Sequence, residues 1–112
     1  MISDERRRHP RAKVSIPVKW GTAPNCGYEG VITLLSLGGC LIQTRLHTSR
    51  GQAVFVRMSL SGEGQDARVS RGNVKYEMEG IGLGVEFAGL TAEEQKTISD
   101  IVDLRLDTAV FI

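Results

Sequence analysis

A cluster of arginines near the N-terminus is the first group of residues that could do chemistry. Arg6, Arg7 and Arg8 precede His9, and Arg11 follows two residues later. A guanidinium can fork two hydrogen bonds onto a phosphate or onto O6 and N7 of guanine, and it can also stack on a base. Because lysine supplies only the charge, an all-arginine cluster favours recognition of a shaped anion. The alternative interpretation of the cluster is a solvated basic arm.

A serine and two glycines form the second group. Ser36, Gly38 and Gly39 interrupt an apolar run and predict a tight turn. The adjacent glycines allow positive φ and close approach of a ligand, and the hydroxyl and free backbone N–H groups can bind an anion. The alternative is a plain hairpin turn in which Ser36 caps its own backbone.

The elements that would position these groups are mostly short strands. Polar and apolar residues alternate over 13–20, with Val14, Ile16, Val18 and Trp20 on one face, which is typical of a half-buried strand. The predicted strands are 13–20, 28–35, 40–44, 53–60, 66–77 and 81–87. The fifth strand is expected to be bulged at Gly72. Six short strands at regular spacing predict an antiparallel barrel or sandwich.

One helix should follow the strands. Thr91 and Glu94 have the spacing of a capping box, and the helix is predicted within 91–107. Ile98, Ile101 and Val102 supply its apolar face, with Leu104 expected to widen that face. The predicted organisation is a single domain over 1–112, with a flexible basic arm at 1–12, a barrel at 13–88 and this C-terminal helix.

Composition narrows the class of protein. With 112 residues, 41% hydrophobic and 24% charged, the chain can bury a core without metals or disulfides. No membrane span or signal core is present, so a cytoplasmic protein with reduced Cys26 and Cys40 is expected. His9 and His47 have no metal-ligand spacing, and nothing pairs a nucleophile with a base. The sequence therefore predicts no enzyme activity, cofactor or metal.

Both groups of residues resemble the ligand-binding motifs of the PilZ family, R-x-x-x-R and [D/N]-x-S-x-x-G. Arg7 and Arg11 match the first motif, and Ser36 and Gly39 match the second. The strand Gly84-Val85-Glu86-Phe87 before a capped helix also follows the family's order of elements. The resemblance covers nearly the whole chain. It implies a six-stranded antiparallel β-barrel with one C-terminal α-helix, and it implies the bacterial messenger cyclic di-GMP as ligand.

The resemblance also assigns roles to residues. Arg7 and Arg11 would grip phosphates and the Hoogsteen edges of the guanines, Ser36 would donate to the ligand, and Gly39 would keep the turn open. The predicted ligand-binding residues are Arg6, Arg7, Arg8, Arg11, Ser36, Gly38 and Gly39.

Leu34 departs from the second motif because it occupies the position of the acid or amide. A leucine cannot hydrogen-bond a guanine edge, and an unpaired ligand donor costs roughly 1–3 kcal/mol. Binding would be about tenfold to a hundredfold weaker. Strand alternation places Leu35 inside the barrel and Leu34 outside.

Three functions remain open. The favoured one is a cyclic di-GMP receptor that relays the signal, through ordering of its arm, to a protein effector of motility, pilus, polysaccharide or regulatory machinery. The second is a degenerate module that binds proteins and little or no nucleotide. The third, a nucleic-acid-binding barrel, is disfavoured by a net charge of +1 and few aromatics. Membrane insertion is not expected, and a homodimer is left open.

Overall fold

Six antiparallel strands close into a barrel, and one helix follows them. The structure, a computed structural model, describes residues 11–58 and 68–110. The elements are β1 (Ala12–Gly21), β2 (Tyr28–Leu35), β3 (Gly39–Gln43), β4 (Ala53–Met58), β5 (Arg68–Met78), β6 (Gly82–Ala88) and α1 (Ala92–Val110). The order around the closed barrel is β1-β2-β3-β6-β5-β4. The predicted fold class is confirmed.

Several boundaries differ from those predicted. β1 begins at Ala12, inside the predicted arm, and α1 continues to Val110. β3 runs over Gly39–Gln43, one residue earlier than expected, and β6 over Gly82–Ala88. Residues 1–10, which hold most of the predicted arm, lie outside the described residues. So do positions 59–67, between the two strands of the β4–β5 pair.

The core lies inside the barrel and is built from alternate residues of each strand. On β1, Val18 and Trp20 are buried while Lys13 and Lys19 are exposed, so the alternation predicted for this strand is confirmed. Fully buried aliphatic side chains from the other strands fill the interior with Trp20: Ile32, Leu35, Ile42, Val54, Val56, Val74 and Leu83. Because aromatics are few, aliphatic packing supplies most of the apolar burial.

Register shifts occur in three strand pairs, and two of them decide which side chains near the Ser36 turn face outward. The β1–β2 register shifts between Lys13 and Ile16. The register slips at Thr33, because Ile32 pairs with Ile42 while Leu34 pairs with Leu41. It slips again at Lys75, between Val74 and Tyr76. An extra residue reverses the inside–outside alternation of those that follow. The bulge expected at Gly72 is therefore wrong, because Gly72 pairs regularly with Phe87 and the slip comes after Val74.

The helix is joined to the barrel at its first turn. Glu94 N–H donates to Thr91 Oγ1 at 3.1 Å and Thr91 N–H donates to Glu94 Oε1 at 2.9 Å, which confirms the predicted capping box. The other carboxylate oxygen of Glu94 accepts from Ser70 Oγ of β5 at 2.9 Å. One carboxylate therefore caps the helix and ties it to a strand.

The apolar face of the helix packs on the barrel core. Ile98 and Val102 are buried, and Ile101 packs against the core. Leu104 is 67% exposed, so the expectation that it widens this face is wrong. It lies two positions beyond Val102, on a different side of the helix. No helix within the described ranges is long and apolar enough to cross a membrane.

Candidate ligand-binding site

The Ser36 turn and Arg11 lie side by side at one end of the barrel. The turn connects β2 to β3, and Arg11 immediately precedes β1. Since Ala12 pairs with Leu35, the exposed Arg11 is placed beside Ser36. The other arginines of the predicted site, Arg6, Arg7 and Arg8, lie outside the described residues.

Ser36 holds its own turn together. Its Oγ accepts hydrogen bonds from the N–H groups of Gly38 at 3.1 Å and Gly39 at 3.2 Å. Ser36 N–H also donates to the Gly39 carbonyl oxygen at 2.9 Å. The capping role given above as the alternative is therefore what this structure contains. The hydroxyl donates its own proton to the Gly39 carbonyl oxygen at a long 3.4 Å, and Ser36 is buried, so a ligand would have to replace this weak bond to receive the proton.

Gly39 is required by close packing. Neither Gly38 nor Gly39 is among the glycines with positive φ, which are Gly51, Gly80 and Gly89, so the positive φ that this pair permits is not used. A Cβ on Gly39 would lie 2.0 Å from the carbonyl oxygen of Val85 in the paired strand β6. Gly39 thus lets β3 and β6 approach, whatever it does for a ligand.

Leu34 belongs to a row of residues on the outer wall of the barrel. Lys13 is paired with Leu34, Leu34 with Leu41, Leu41 with Gly84, and Gly84 with Tyr76. Paired residues point to the same face of a sheet. Leu34 and Leu41 are half-buried, whereas Leu35 is 1% exposed, so the inward placement of Leu35 and the outward placement of Leu34 are confirmed.

Tyr76 completes this row and was not found from the sequence. A Cβ on Gly84 would meet Cζ of the Tyr76 ring at 2.2 Å, so the ring lies flat over Gly84. The side chain remains 42% exposed, which leaves a free aromatic surface in line with Leu34 and Leu41. Strict alternation from Val74 would have turned Tyr76 inward; only the bulge at Lys75 turns it outward.

An open pocket adjoins the turn on its helix side. Its volume is about 260 Å³, and its lining residues are Leu37, Phe87, Gly89, Leu90 and Gln95. Leu37, which belongs to the turn, and Phe87 and Leu90 also pack against the core. Through Leu37, the turn therefore borders a small open pocket beside the helix.

The cysteines are buried and have little reactivity. Burial raises the pKa of the Cys40 thiol to about 12. Burial also raises the pKa of Cys26, although the neighbouring Arg57 opposes that shift. A thiol held in its neutral form is a poor nucleophile and metal ligand. Within residues 11–58 and 68–110, no cluster of three or more His, Cys, Asp or Glu side chains could hold a metal ion.

These features define the class as a small six-stranded β-barrel with one helix, a serine–glycine turn at one end and an apolar outer wall beside it. The chain belongs to the PilZ domain family, whose model matches residues 5–104. PilZ domains are binding modules for cyclic di-GMP rather than enzymes. Among curated protein sequences, none is significantly similar to this chain.

Solved structures share the fold at low sequence identity. The motility inhibitor MotI/DgrA of Bacillus subtilis is 16% identical with a TM-score of 0.74, and the matched region covers 91% of this chain and 52% of the MotI/DgrA chain. The MrkH–c-di-GMP complex of K. pneumonia is 19% identical with a TM-score of 0.68, covering 95% and 55%. The PilZ domain of CeSA from a cellulose-synthesizing bacterium is 21% identical with a TM-score of 0.59, covering 82% and 93%. This chain spans about half the length of the first two.

Proposed function

We propose that this chain is a cytoplasmic cyclic di-GMP receptor that relays the messenger to a protein effector by ordering its arginine-rich arm. The observation that carries the proposal is the position of Arg11. It leads into β1 beside the Ser36 turn, so residues preceding it in the chain start next to the candidate site. Arg7, four positions earlier, is within chain reach of the same turn.

The ligand would use three kinds of contact. Guanidinium groups of Arg7 and Arg11 would bind phosphates and guanine edges, with Arg6 and Arg8 adding charge. The Ser36 hydroxyl would redirect its proton from the Gly39 carbonyl oxygen to the ligand, with its oxygen still held by the Gly38 and Gly39 N–H groups. The exposed ring of Tyr76 would offer a guanine a stacking surface, an interaction worth about 1–3 kcal/mol per base.

A calorimetric titration with cyclic di-GMP at low and high salt tests the proposal. We expect binding that weakens with salt, since phosphate contacts are largely electrostatic. Arg7→Ala and Arg11→Ala should remove most of the affinity, and lysine should restore little of it because the fork is lost. Lys19→Ala, at the far end of β1, is the matched control and should bind normally. No heat at millimolar nucleotide and low salt would refute the receptor function.

Hydrogen exchange tests the relay separately. Because residues 1–12 contain few apolar side chains, we expect the arm to become ordered only when a partner is bound. We expect new protection around Arg7 to Arg11 when the nucleotide is added. An arm that is fully protected without ligand would contradict relay by ordering, even if the nucleotide binds.

The second candidate function is an adaptor that binds protein and little or no nucleotide. It is favoured by Leu34, which presents a half-buried apolar side chain next to Leu41 where the family motif has an acid or amide. An apolar row is suited to protein contact as well as to a base. If the parent chain gives no heat with millimolar cyclic di-GMP at low salt, the adaptor function gains the support that the receptor function loses.

A further inference from the structure

A second surface of distinct chemistry lies on the outside of β1, β4 and β5. Lys19 is paired with Arg57, and Arg57 with Val69. In the next row, Gly21 is paired with Phe55, and Phe55 with Arg71. The five side chains that face outward here are called the basic face: Lys19, Phe55, Arg57, Val69 and Arg71.

The cations of the basic face are placed against each other. Lys19 and Arg57 stand directly opposite across the β1–β4 pair, an arrangement of like charges that destabilises a sheet. Glu29 stands directly opposite Lys19 on β2 and offsets part of this repulsion. Within the described part of the chain, neither it nor any other acid forms an ion pair with Lys19, Arg57 or Arg71. An external anion would relieve this repulsion.

Apolar side chains are interleaved with these cations. Val69 is 38% exposed and Phe55 is half-buried, and each stands directly opposite an arginine. Protein interfaces combine apolar and aromatic anchors with arginine in this manner. The partner that fits must therefore carry carboxylates with apolar residues between them.

We propose that the basic face docks an acidic, partly apolar segment of another protein. The partner is not a second copy of this chain, because a two-fold axis would bring the three cations of one basic face against the same three cations of the other. A nucleic acid fits less well, because residues 58–112 hold ten acids against five basic residues and would repel a long polyanion. Lys19 and its partner Arg57 lie at the far end of β1 from the Ser36 turn, so a contact there does not depend on nucleotide binding. Arg71 lies nearer to the turn, because it pairs with Ala88, next to Phe87, whose N–H donates to the Gly38 carbonyl oxygen.

Fluorescence anisotropy with a defined peptide tests the proposal. The probe is a fluorescein-labelled peptide of alternating Glu and Leu, compared with the same peptide carrying Gln for Glu. We expect the full chain to bind the Glu peptide, with an affinity that falls as the salt concentration rises, and not to bind the Gln peptide. Arg57→Glu and Arg71→Glu should each weaken binding by about tenfold or more, because each puts a negative charge where a positive one is needed.

Arg45→Glu is the matched control. It makes the same charge change on an exposed residue in the loop after β3, and the β3–β6 pair lies across the barrel from the β1–β4 pair. It should bind the peptide as the parent chain does. Val69→Ser, an uncharged change, should weaken binding several-fold while the fold, measured by circular dichroism, is retained.

Three results would overturn the proposal. The first is no binding of the Glu peptide at low salt. The second is an equal loss for Arg45→Glu and Arg57→Glu, which would mean attraction to net charge alone. The third is tighter binding of a single-stranded oligonucleotide with the same pattern of variants, which would make the basic face a nucleic-acid surface.

Discussion

Replacing Leu34 by aspartate tests whether this outward-facing position corresponds to the acid of the family motif. Leu34 is half-buried between Lys13 and Leu41 on the outer wall. Removing a half-buried leucine forfeits about 1 kcal/mol of apolar burial. A carboxylate opposite Lys13 returns about 0.2–1 kcal/mol as a cross-strand pair. Thermal stability should therefore change little.

The same substitution should tighten nucleotide binding. The new carboxylate can accept a guanine N–H that now has no partner, and we expect a gain of about 1–2 kcal/mol after desolvation of the acid. This corresponds to roughly a five- to thirtyfold lower Kd. Calorimetry with cyclic di-GMP measures the gain, and thermal unfolding followed by circular dichroism measures the stability.

Two further variants control this experiment. Val31→Asp places the same carboxylate on the outer side of β2, away from the turn, and should leave the affinity unchanged. Leu35→Asp places a charge in the core at a side chain that is 1% exposed. Its cost of several kcal/mol is comparable with the whole stability of a small domain, about 5–15 kcal/mol. If Leu34→Asp unfolds the chain, or folds without tighter binding, the alignment of Leu34 with the motif acid is wrong.

Three other predictions concern the packing around the site. Gly39→Ala should lower the free energy of unfolding in urea by several kcal/mol, because the new Cβ would lie 2.0 Å from the Val85 carbonyl oxygen. Gly27→Ala is the control and should change stability little, because a Cβ there would have no neighbour within 4 Å. Glu94→Ala should cost about 1–2 kcal/mol of stability through the lost cap and the lost Ser70 bond. Glu94→Gln should keep most of that stability, and an equal loss in both variants would show that the charge of Glu94, rather than its hydrogen bonds, stabilises the helix start. Because burial raises the pKa of Cys40 from 9.0 to about 12, the folded state holds its proton more tightly, and stability should fall as pH rises from about 9 toward 12. Cys40→Ala should lose that part of the pH dependence, and an unchanged slope would contradict the assigned pKa.

Local sequence signals predicted the elements well where each signal is complete in itself. The alternation of Val18, Lys19 and Trp20 is typical of a strand with one buried and one solvent-exposed face, and β1 has that form. Thr91 and Glu94 specify a helix start by their own hydrogen bonds, with no help from the rest of the fold. A period of two puts Leu34 and Leu35 on opposite faces, as the structure has them, but strict alternation from buried Ile32 would have put Leu34 inside, and only the bulge at Thr33 turns Leu35 inward.

The outer row of the site depended on features that the sequence does not mark. The bulge at Lys75 arises from how β5 fits β6 around the closing barrel, and Gly72 was the more obvious residue for it. The outward position of Tyr76 therefore could not be predicted from alternation along β5. Its partner Gly84, over which the ring lies, comes from another strand, so only the paired register brings the two together.

The order of strands around the barrel has a consequence for folding. β1-β2-β3 and β4-β5-β6 are each neighbours both in sequence and in space, and only the β3–β6 and β1–β4 pairs join distant parts of the chain. Each three-stranded half can form early from local contacts, but the entropy of closing long loops delays the pairs that join the halves. The like-charged Lys19 and Arg57 stand at one of these late junctions. An acidic segment bound across β1 and β4 would hold the two halves together, and it would slow unfolding more than it speeds folding.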